Sequence, residues 1–281
     1  VAYGTRTANI MDVPLKISSV VVPYLSDNNY KHKDAQSIRV LSIANGSLAT
    51  YDEANSTAPF GAADLVVPVE QVLTLAYNKS MLLRIQKTQM QDIPVGQFTK
   101  KVAMQQVDQV FIPAHDAYSL AKILASRPAG NKIEIDLATE ASTIPLRFAQ
   151  TINKVRTGGG VAGNMVAWVG YEFGAQLSDQ INFTGADTGY ADAKNGYLGK
   201  HKGVKIVEVP DLYLTATVYM IVADKNAVIN VKPKMDPSTD GMVVIEKVPG
   251  FGGTEIQLRD RGDTFVLSKK VDGVASLEET P

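Results

Sequence analysis

Hydrophobic positions change period several times along the chain, and each change marks an element. Residues 1–35 are polar and irregular, with a turn cluster at Asp27-Asn28-Asn29-Tyr30 and only Ile17 to Val22 strand-like. With no periodic face of its own, this segment is expected to be an extended arm lying on something else. Ile38 to Ile43 is short and β-branched, which predicts a strand. A loop rich in Ala, Ser, Gly and Asn follows from Asn45 to Asp64. After it, Leu73, Leu75, Tyr77, Met81, Leu83 and Ile85 share one parity, while Thr74, Asn78, Ser80, Arg84 and Gln86 share the other. Period-2 alternation of this length predicts a half-buried strand. Two strands flanking about 20 loop residues are uncommon inside a compact domain, and a long hairpin arm projecting toward a neighbour explains them.

At Pro94 the period changes to that of a helix, with Asp92 in the capping position. Val95, Phe98, Val102, Ala103 and Val110 fall on one side of the wheel and Lys101 and Asp108 on the other. Pro113 interrupts, and Ala114 to Ser126 continues with Tyr118, Ala121 and Leu124, so the two stretches form one long, broken helix. Arg127-Pro128-Ala129-Gly130 is a boundary.

Strand and helix then alternate. Ile133 to Leu137 reads as a strand, residues 144–156 as a helix stopped by Gly158, Met165 to Val169 as a strand, and Tyr171 to Ile181 as a short helix. Residues 182–202 read as a loop rich in Gly, Asn and Asp. Val204 to Val209, Val218 to Ile221 and Ala227 to Val231 read as strands. Met242 to Val248 and Thr254 to Leu258 flank the glycine-rich hairpin tip Pro249-Gly250-Phe251-Gly252-Gly253. The pattern is that of a mixed α+β protein.

Composition narrows the function classes. The 281 residues are 45% apolar, enough to remove roughly three quarters of the unfolded surface from water. The 28 Lys+Arg against 29 Asp+Glu give a net charge of -1, which argues against a dedicated DNA binder but not against a wall that faces DNA. With no cysteine, disulfides, thiolate zinc sites, iron–sulfur clusters and cysteine nucleophiles are excluded. No apolar run approaches the roughly 20 residues of a membrane span, and no signal peptide opens the chain, which predicts a soluble protein with no membrane partner. A first residue other than Met fits either Met removal or proteolytic maturation.

The sequence offers no pattern of catalytic or ligand residues. Gly158, Gly160 and Gly163 match G-x-G-x-x-G but follow a helix and precede a strand, the reverse of a dinucleotide site. His32, His115 and His201 are far apart, and His115-Asp116 are helix neighbours that cannot face each other. The pairs Asp52/Glu53, Asp260/Asp263 and Glu278/Glu279 have no companion acid or ligand pattern and are expected on solvated faces. Arg261-Gly262-Asp263 is an incidental match to an integrin tripeptide. Lys31-His32-Lys33, Lys100-Lys101 and Lys269-Lys270 are isolated and make no basic patch. No catalytic residue, cofactor or metal ligand is expected, and the chain is not expected to be an enzyme.

One set of phrases carries a resemblance. Gly46 to Glu53 is similar to a "G-L-x-D-Y" loop opening, and Glu70-Gln71-Val72-Leu73-Thr74-Leu75 to a returning "E-x-x-T-L" strand. Val110-Phe111-Ile112-Pro113-Ala114-His115-Asp116-Ala117-Tyr118 resembles V-x-P-E-x-D-A-Y, with Ala114 in place of the usual acid. Gly203 to Pro210 resembles "G-x-x-I-x-E-V-P", and Asp263 to Leu267 resembles "D-x-F-V-L". In this order and spacing, over about 220 residues, the chain resembles tailed-bacteriophage major capsid proteins with the Hong Kong 97 fold.

That resemblance implies an α+β chain divided into an N-terminal arm (1–35), an extended loop (36–88), a peripheral domain with a long spine helix and β-hairpin (89–129 and 231–281), and an axial domain (130–230). It implies hexamers and pentamers of one chain in an icosahedral head around double-stranded DNA bound without sequence specificity. A separate scaffold, a portal and a decoration protein are the implied partners, in a virion assembled in the host cytoplasm. Within the projecting arms, Tyr51, Phe60 and Phe251 are the expected inter-subunit contacts, and residues 1–35 and 45–68 are expected to be mobile in the free monomer. Some relatives weld neighbouring subunits through a lysine near the loop tip; Ser47 to Val69 contains no lysine, so no such crosslink is expected. The rival readings are an encapsulin-type nanocompartment shell, which shares the fold, and a nucleotide-binding enzyme using the glycines at 158–163.

Overall fold

Met165–Gly170 is apolar at every position, and all six residues are buried. Such a strand needs cover on both faces, and the structure, a computed structural model, provides it. Residues 18–26, 37–43, 46–54, 57, 59–61, 65–86, 98–181, 196–231, 243–248 and 252–280 are described.

The strands in chain order are β1 (Ser37–Ile43), β2 (Pro68–Thr74), β3 (Tyr77–Gln86), β4 (Lys132–Ile135), β5 (Met165–Gly170) and β6 (Tyr197–His201). They continue with β7 (Val204–Val209), β8 (Val218–Asp224), β9 (Val228–Val231), β10 (Val243–Val248), β11 (Gly253–Val266) and β12 (Val274–Glu279). The helices are α1 (Phe98–Gln106), α2 (Ile112–Ala125), α3 (Leu137–Glu140), α4 (Ile144–Thr157) and α5 (Tyr171–Gln180). Ala35–Leu75 forms one compact unit, and Val1–Asp34 with Ala76–Pro281 forms the other.

The larger unit is organised by a six-stranded sheet of order β4-β12-β8-β5-β7-β6. The side chains of β5 alternate between two cores. Met165, Ala167 and Val169 meet Phe148, Ile152 and Val155 of α4 and Phe173 and Leu177 of α5. Val166 and Trp168 meet Leu120 and Ile123 of α2 together with Val20, Val21, Tyr24 and Leu25. Each fully covered large side chain contributes roughly 1.5–3 kcal/mol. A second sheet, β10-β11-β3 with β9 also on β11, packs Ile85, Ile256 and Leu258 against Ala103 and Phe111.

Several expectations change. The Ile17–Val22 strand does not form among the described residues: Val22–Tyr24 is a 3-10 turn, because Pro23 has a fixed φ and no N–H for a ladder. Residues 18–26 do not stand free either, since Val20, Val21, Tyr24 and Leu25 are buried in their own subunit's core. Residues 1–17 and 27–36 lie outside the described residues. The run from Leu73 to Ile85 is two strands in different sheets, broken where the Ala76 N–H donates to the Asp263 carboxylate (2.8 Å) instead of a ladder.

The long helix is continuous. Pro113 is accommodated by a π-turn, Val107–Phe111, whose wider spacing tolerates the missing N–H and the bulky ring. The extra residue advances the helical phase, so Phe111 is buried and Val110, expected on the core face, is exposed. Leu137 opens α3 rather than ending a strand. Gly158 caps α4 with φ -74°, and the left-handed residue is Gly159 at +90°.

Residues 182–202 are not all loop: Tyr197–His201 pairs with β7 through the two-residue turn Lys202-Gly203, whose φ values of 51° and 85° suit a hairpin. Residues 182–195 lie outside the described residues. Finally, Val274–Glu279 is a strand between β4 and β8, in the same sheet as residues 132–224.

Candidate functional site

The unit Ala35–Leu75 is a ribbon of two strands. β1 and β2 pair antiparallel from Ser37↔Thr74 to Ile43↔Pro68, so directly opposed residues share a face. One face carries Arg39/Val72, Leu41/Glu70 and Ile43/Pro68, and all of these residues are exposed. Leu41 is 71% and Ile43 68% accessible, and the Arg39–Glu70 ion pair at 3.1 Å is the polar element among them. Leu48, Leu65, Val66 and Val67 extend the exposed apolar surface beyond the strands. An isolated two-stranded ribbon is marginal in water, and contiguous apolar exposure of this kind marks an interaction surface.

The far end of the ribbon is closed on itself. The Asp52 N–H donates to the Pro59 carbonyl (3.0 Å), and the Asp52 carboxylate accepts from the Ala54 N–H (3.0 Å). Gly61 has φ +78°, and a Cβ there would lie 2.7 Å from the Ala49 Cβ. The turn brings the rings of Tyr51 and Phe60 edge-on, with centroids 5.1 Å apart, while both stay exposed, Phe60 to 79%. Two of the three sequence-predicted contact residues are thus assembled into one aromatic pair. Phe251, the third, lies outside the described residues.

The carboxylates at 260 and 263 are buried rather than solvated. Asp263 accepts from the Ala76 N–H (2.8 Å), the Thr264 N–H (2.8 Å) and the Tyr118 hydroxyl (3.0 Å). Burial and the Asp263 charge push the Tyr118 phenol up. Asp260 lies 3.3 Å from His115 Nδ1, off hydrogen-bond alignment, while His115 Nε2 meets the Asn230 amide at 3.2 Å. Asn230 also donates to Thr264, whose hydroxyl donates to Ser119. His115 therefore does have a carboxylate beside it, but on β11 rather than at its helix neighbour.

Asp116 turns the other way and accepts from the Ser19 hydroxyl (2.7 Å) and the Val20 N–H (2.8 Å), which ties residues 18–26 to α2. Burial raises its pKa above the usual carboxylate value, only partly offset by those hydrogen bonds. Burial, then Asp260, pushes the Tyr77 phenol up to about 12. His115, Ser119, Asn230, Asp260, Asp263 and Thr264 are buried together between α2, β9 and β11, while Asp116 faces residues 18–26.

Glu278 is likewise buried, held by Arg127 and Ser276 and by Lys132 at 3.5 Å, whereas Glu279 is exposed. Asp52 and Glu53 are exposed, as expected. The three glycines lie on the turn from α4 to β5. A Cβ at Gly158 would fall 2.5 Å from the Asp272 carbonyl oxygen, and one at Gly160 2.7 Å from Val155, so these two glycines serve close packing.

The feature that sequence reasoning missed is electrical. β4, β5, β7 and β12 all run the same way across the six-stranded sheet. At their C-terminal ends lie Asp136, Glu172, Asp211 and Glu279. Nearby Glu208 is raised by burial and then by Asp211. At their N-terminal ends lie Lys154, Arg156, Lys202, Lys225, Lys269 and Lys270, all exposed. Lys269-Lys270, isolated in sequence, has neighbours in space.

Comparison with solved structures gives one consistent result. The chain is similar over 99% of its length to the capsid structure of cyanophage P-SCSP1u, with 13% identity, TM-score 0.70 and 93% of that chain covered. It is similar to a structure from Mycobacterium phage Che8 (13% identity, TM-score 0.69, 98% of this chain and 96% of that one). It is also similar to the mature capsid of bacteriophage PhiM1 (14% identity, TM-score 0.66, 99% and 92%). No protein-family model and no curated protein sequence is matched. The chain shares the α+β fold of these phage capsid structures.

Proposed function

We propose that this chain is a major capsid protein, a structural subunit and not an enzyme, which self-assembles into hexamers and pentamers of an icosahedral phage head around double-stranded DNA. The observation that carries the reading is the exposed apolar ribbon of Ala35–Leu75 on a chain with a capsid fold. A ribbon that cannot bury its own apolar face calls for a partner, and repeated heterologous contacts between copies close into rings and shells. The Tyr51–Phe60 pair is the proposed inter-subunit anchor on this ribbon, with Phe251 as a further contact.

The proposed division keeps residues 1–35 as the arm, 36–88 as the extended loop, 89–129 and 231–281 as the peripheral domain, and 130–230 as the axial domain. Within this proposed division, Val274–Glu279 pairs in one sheet with strands of residues 130–230. The reading carries with it a virion location after assembly in the host cytoplasm. Its partners are a scaffold, a portal and a decoration protein.

The test is negative-stain electron microscopy of the purified chain, alone and with a scaffold supplied by co-expression. Shells, tubes or six- and five-fold rings are expected. A chain that stays monomeric under both conditions would falsify the reading.

A further inference from the structure

We infer that the exposed cations at the N-terminal end of the six-stranded sheet form a surface for the phosphate backbone of double-stranded nucleic acid. The choice of DNA as the polyanion rests on the shell reading above; the surface itself rests on the following geometry.

Four separate segments converge there. The last turn of α4 brings Lys154 and Arg156, and the Arg156 guanidinium donates to the Lys202 carbonyl (3.1 Å), fixing the β6–β7 turn beside it. The Lys225 N–H donates to the Asn164 carbonyl (2.9 Å), which joins the β8–β9 turn to the α4–β5 turn. Lys270 Nζ donates to the Asn226 carbonyl (3.0 Å), and Lys269 and Lys270 border a shallow depression with Gly158, Gly159, Gly160 and Asn226. Among the described residues of these segments, six exposed cations stand with two carboxylates, Asp224 and Asp272. Both oxygens of Asp224 are engaged by backbone N–H groups of Val161 (3.1 Å) and Asn226 (2.8 Å). On a chain of net charge -1 this is a local excess of positive charge.

The chemistry of the patch favours a polyanion over a second copy of this chain. Protein interfaces are depleted in lysine and centred on apolar or aromatic anchors, whereas five of the six cations here are lysines and Val161 is the exposed large apolar residue among them. Lys, Arg, Thr and Asn side chains are the usual phosphate donors, and Thr157, Asn164 and Asn226 stand exposed between the cations. Gly159 and Gly163 have open space where a side chain would stand, so a backbone or phosphate can approach closely. Lys154 and Arg156 also offset the negative end of the α4 dipole, so the excess field comes mainly from Lys202, Lys225, Lys269 and Lys270. Nothing in the patch offers a planar, buried donor set for base edges, so recognition is of charge and not of sequence.

The test is binding of the full-length chain to duplexes of unrelated sequence across a salt series, for wild type and for Lys225→Gln/Lys269→Gln/Lys270→Gln. Four phosphates neutralised correspond to a log–log salt slope of about -3.6, or on the order of 100-fold weaker binding between 50 and 200 mM salt. The triple variant is expected to lose about 2.7 from that slope, while Lys→Arg at the same positions keeps it, and Lys100→Gln/Lys101→Gln, away from the patch, leaves it unchanged. Binding by the triple variant equal to wild type overturns the inference, as does a wild-type chain that does not bind at 50 mM salt. Thermal melts confirm folding, and electron microscopy of the same samples separates the two readings. Loss of shells with unchanged DNA binding would assign the patch to a contact between copies and overturn the inference. Salt-dependent DNA binding by a wild-type chain that never assembles would sink the shell reading and leave the surface standing.

Discussion

Asp263 is a buried carboxylate whose three partners are neutral donors, and replacing it with Asn isolates what they are worth. The asparagine carbonyl oxygen can keep the Thr264 N–H and the Tyr118 hydroxyl, both now on Asp263 Oδ1. The amide nitrogen then faces the Ala76 N–H, which now donates to Oδ2 at 2.8 Å. A hydrogen bond to a charged acceptor is lost, worth about 1.5–3 kcal/mol, and the buried asparagine amide is left facing another donor, which costs about 1–3 kcal/mol more. Relief of the desolvated charge offsets part of this. The net expectation for Asp263→Asn is about 3 kcal/mol of destabilisation, or roughly 6 °C in Tm for a chain of this size.

Tyr118→Phe removes one donor and is expected to cost about 1–2 kcal/mol alone, and less in the Asp263→Asn background because the acceptor is then neutral. The assay is urea unfolding of the unassembled chain followed by circular dichroism, with hydrogen exchange at Ala76 as the local readout. An Asp263→Asn chain within 0.5 kcal/mol of wild type (roughly the floor of a single hydrogen bond), or additive effects of the two substitutions, would refute the account.

Three further outcomes follow from other parts of the molecule. Because burial raises Asp116 above its unfolded value of 3.8, the folded state holds a proton that the unfolded state has already lost. Wild-type stability relative to Asp116→Asn should therefore fall as pH rises from about 4 through the folded pKa and then level off; a flat difference from pH 4 to 7 would contradict this. Gly158→Ala places a methyl against the Asp272 carbonyl and is expected to cost about 1–3 kcal/mol, while Gly163→Ala, which meets nothing within 4 Å, is near neutral; equal melting points would refute the packing role. Tyr51→Ala/Phe60→Ala is expected to leave the melting of the larger unit unchanged but to abolish shells in electron micrographs, and normal shells would remove the pair from the proposed interface.

The fold was legible wherever one element's periodicity stood alone. The burial of α4 along Ile144, Phe148, Ile152 and Val155, and the alternation of Tyr77, Met81, Leu83 and Ile85, follow directly from the sequence pattern. Elsewhere the pattern hides the element for physical reasons. The apolar run of β12 is short and ends in Glu278 and Glu279, and only tertiary structure supplies Arg127 and Lys132 to neutralise the first of them. Val110 departs from the helical wheel because a π-turn shifts the phase, and Pro113 is the visible signal for one. The basic patch was invisible because Lys154, Lys202, Lys225 and Lys269 are far apart in the chain and meet only through strand order. In the candidate site, Tyr51 and Phe60 were identifiable as aromatics in a long loop, but their pairing depends on the turn that Asp52, Pro59 and Gly61 make.

The exposed ribbon sets limits on how strongly copies can associate. Leu41, Ile43, Leu65, Val66, Val67 and Val72 cannot be covered within Ala35–Leu75, because two strands provide no second layer. If a neighbour covered half of their full burial value, the gross gain would be on the order of 5–9 kcal/mol. Ordering the ribbon and fixing two bodies costs about 4–15 kcal/mol, so one such contact is weak by itself. Weakness is useful in the proposed shell: a misplaced subunit can leave, and only closure, in which each copy both gives and receives a ribbon, makes the contacts persist. The same arithmetic explains why Arg39 and Glu70 sit as an ion pair among the apolar residues. Near the surface the pair adds little to stability, about 0–1 kcal/mol, but it keeps the free ribbon soluble and penalises a neighbour docked out of register.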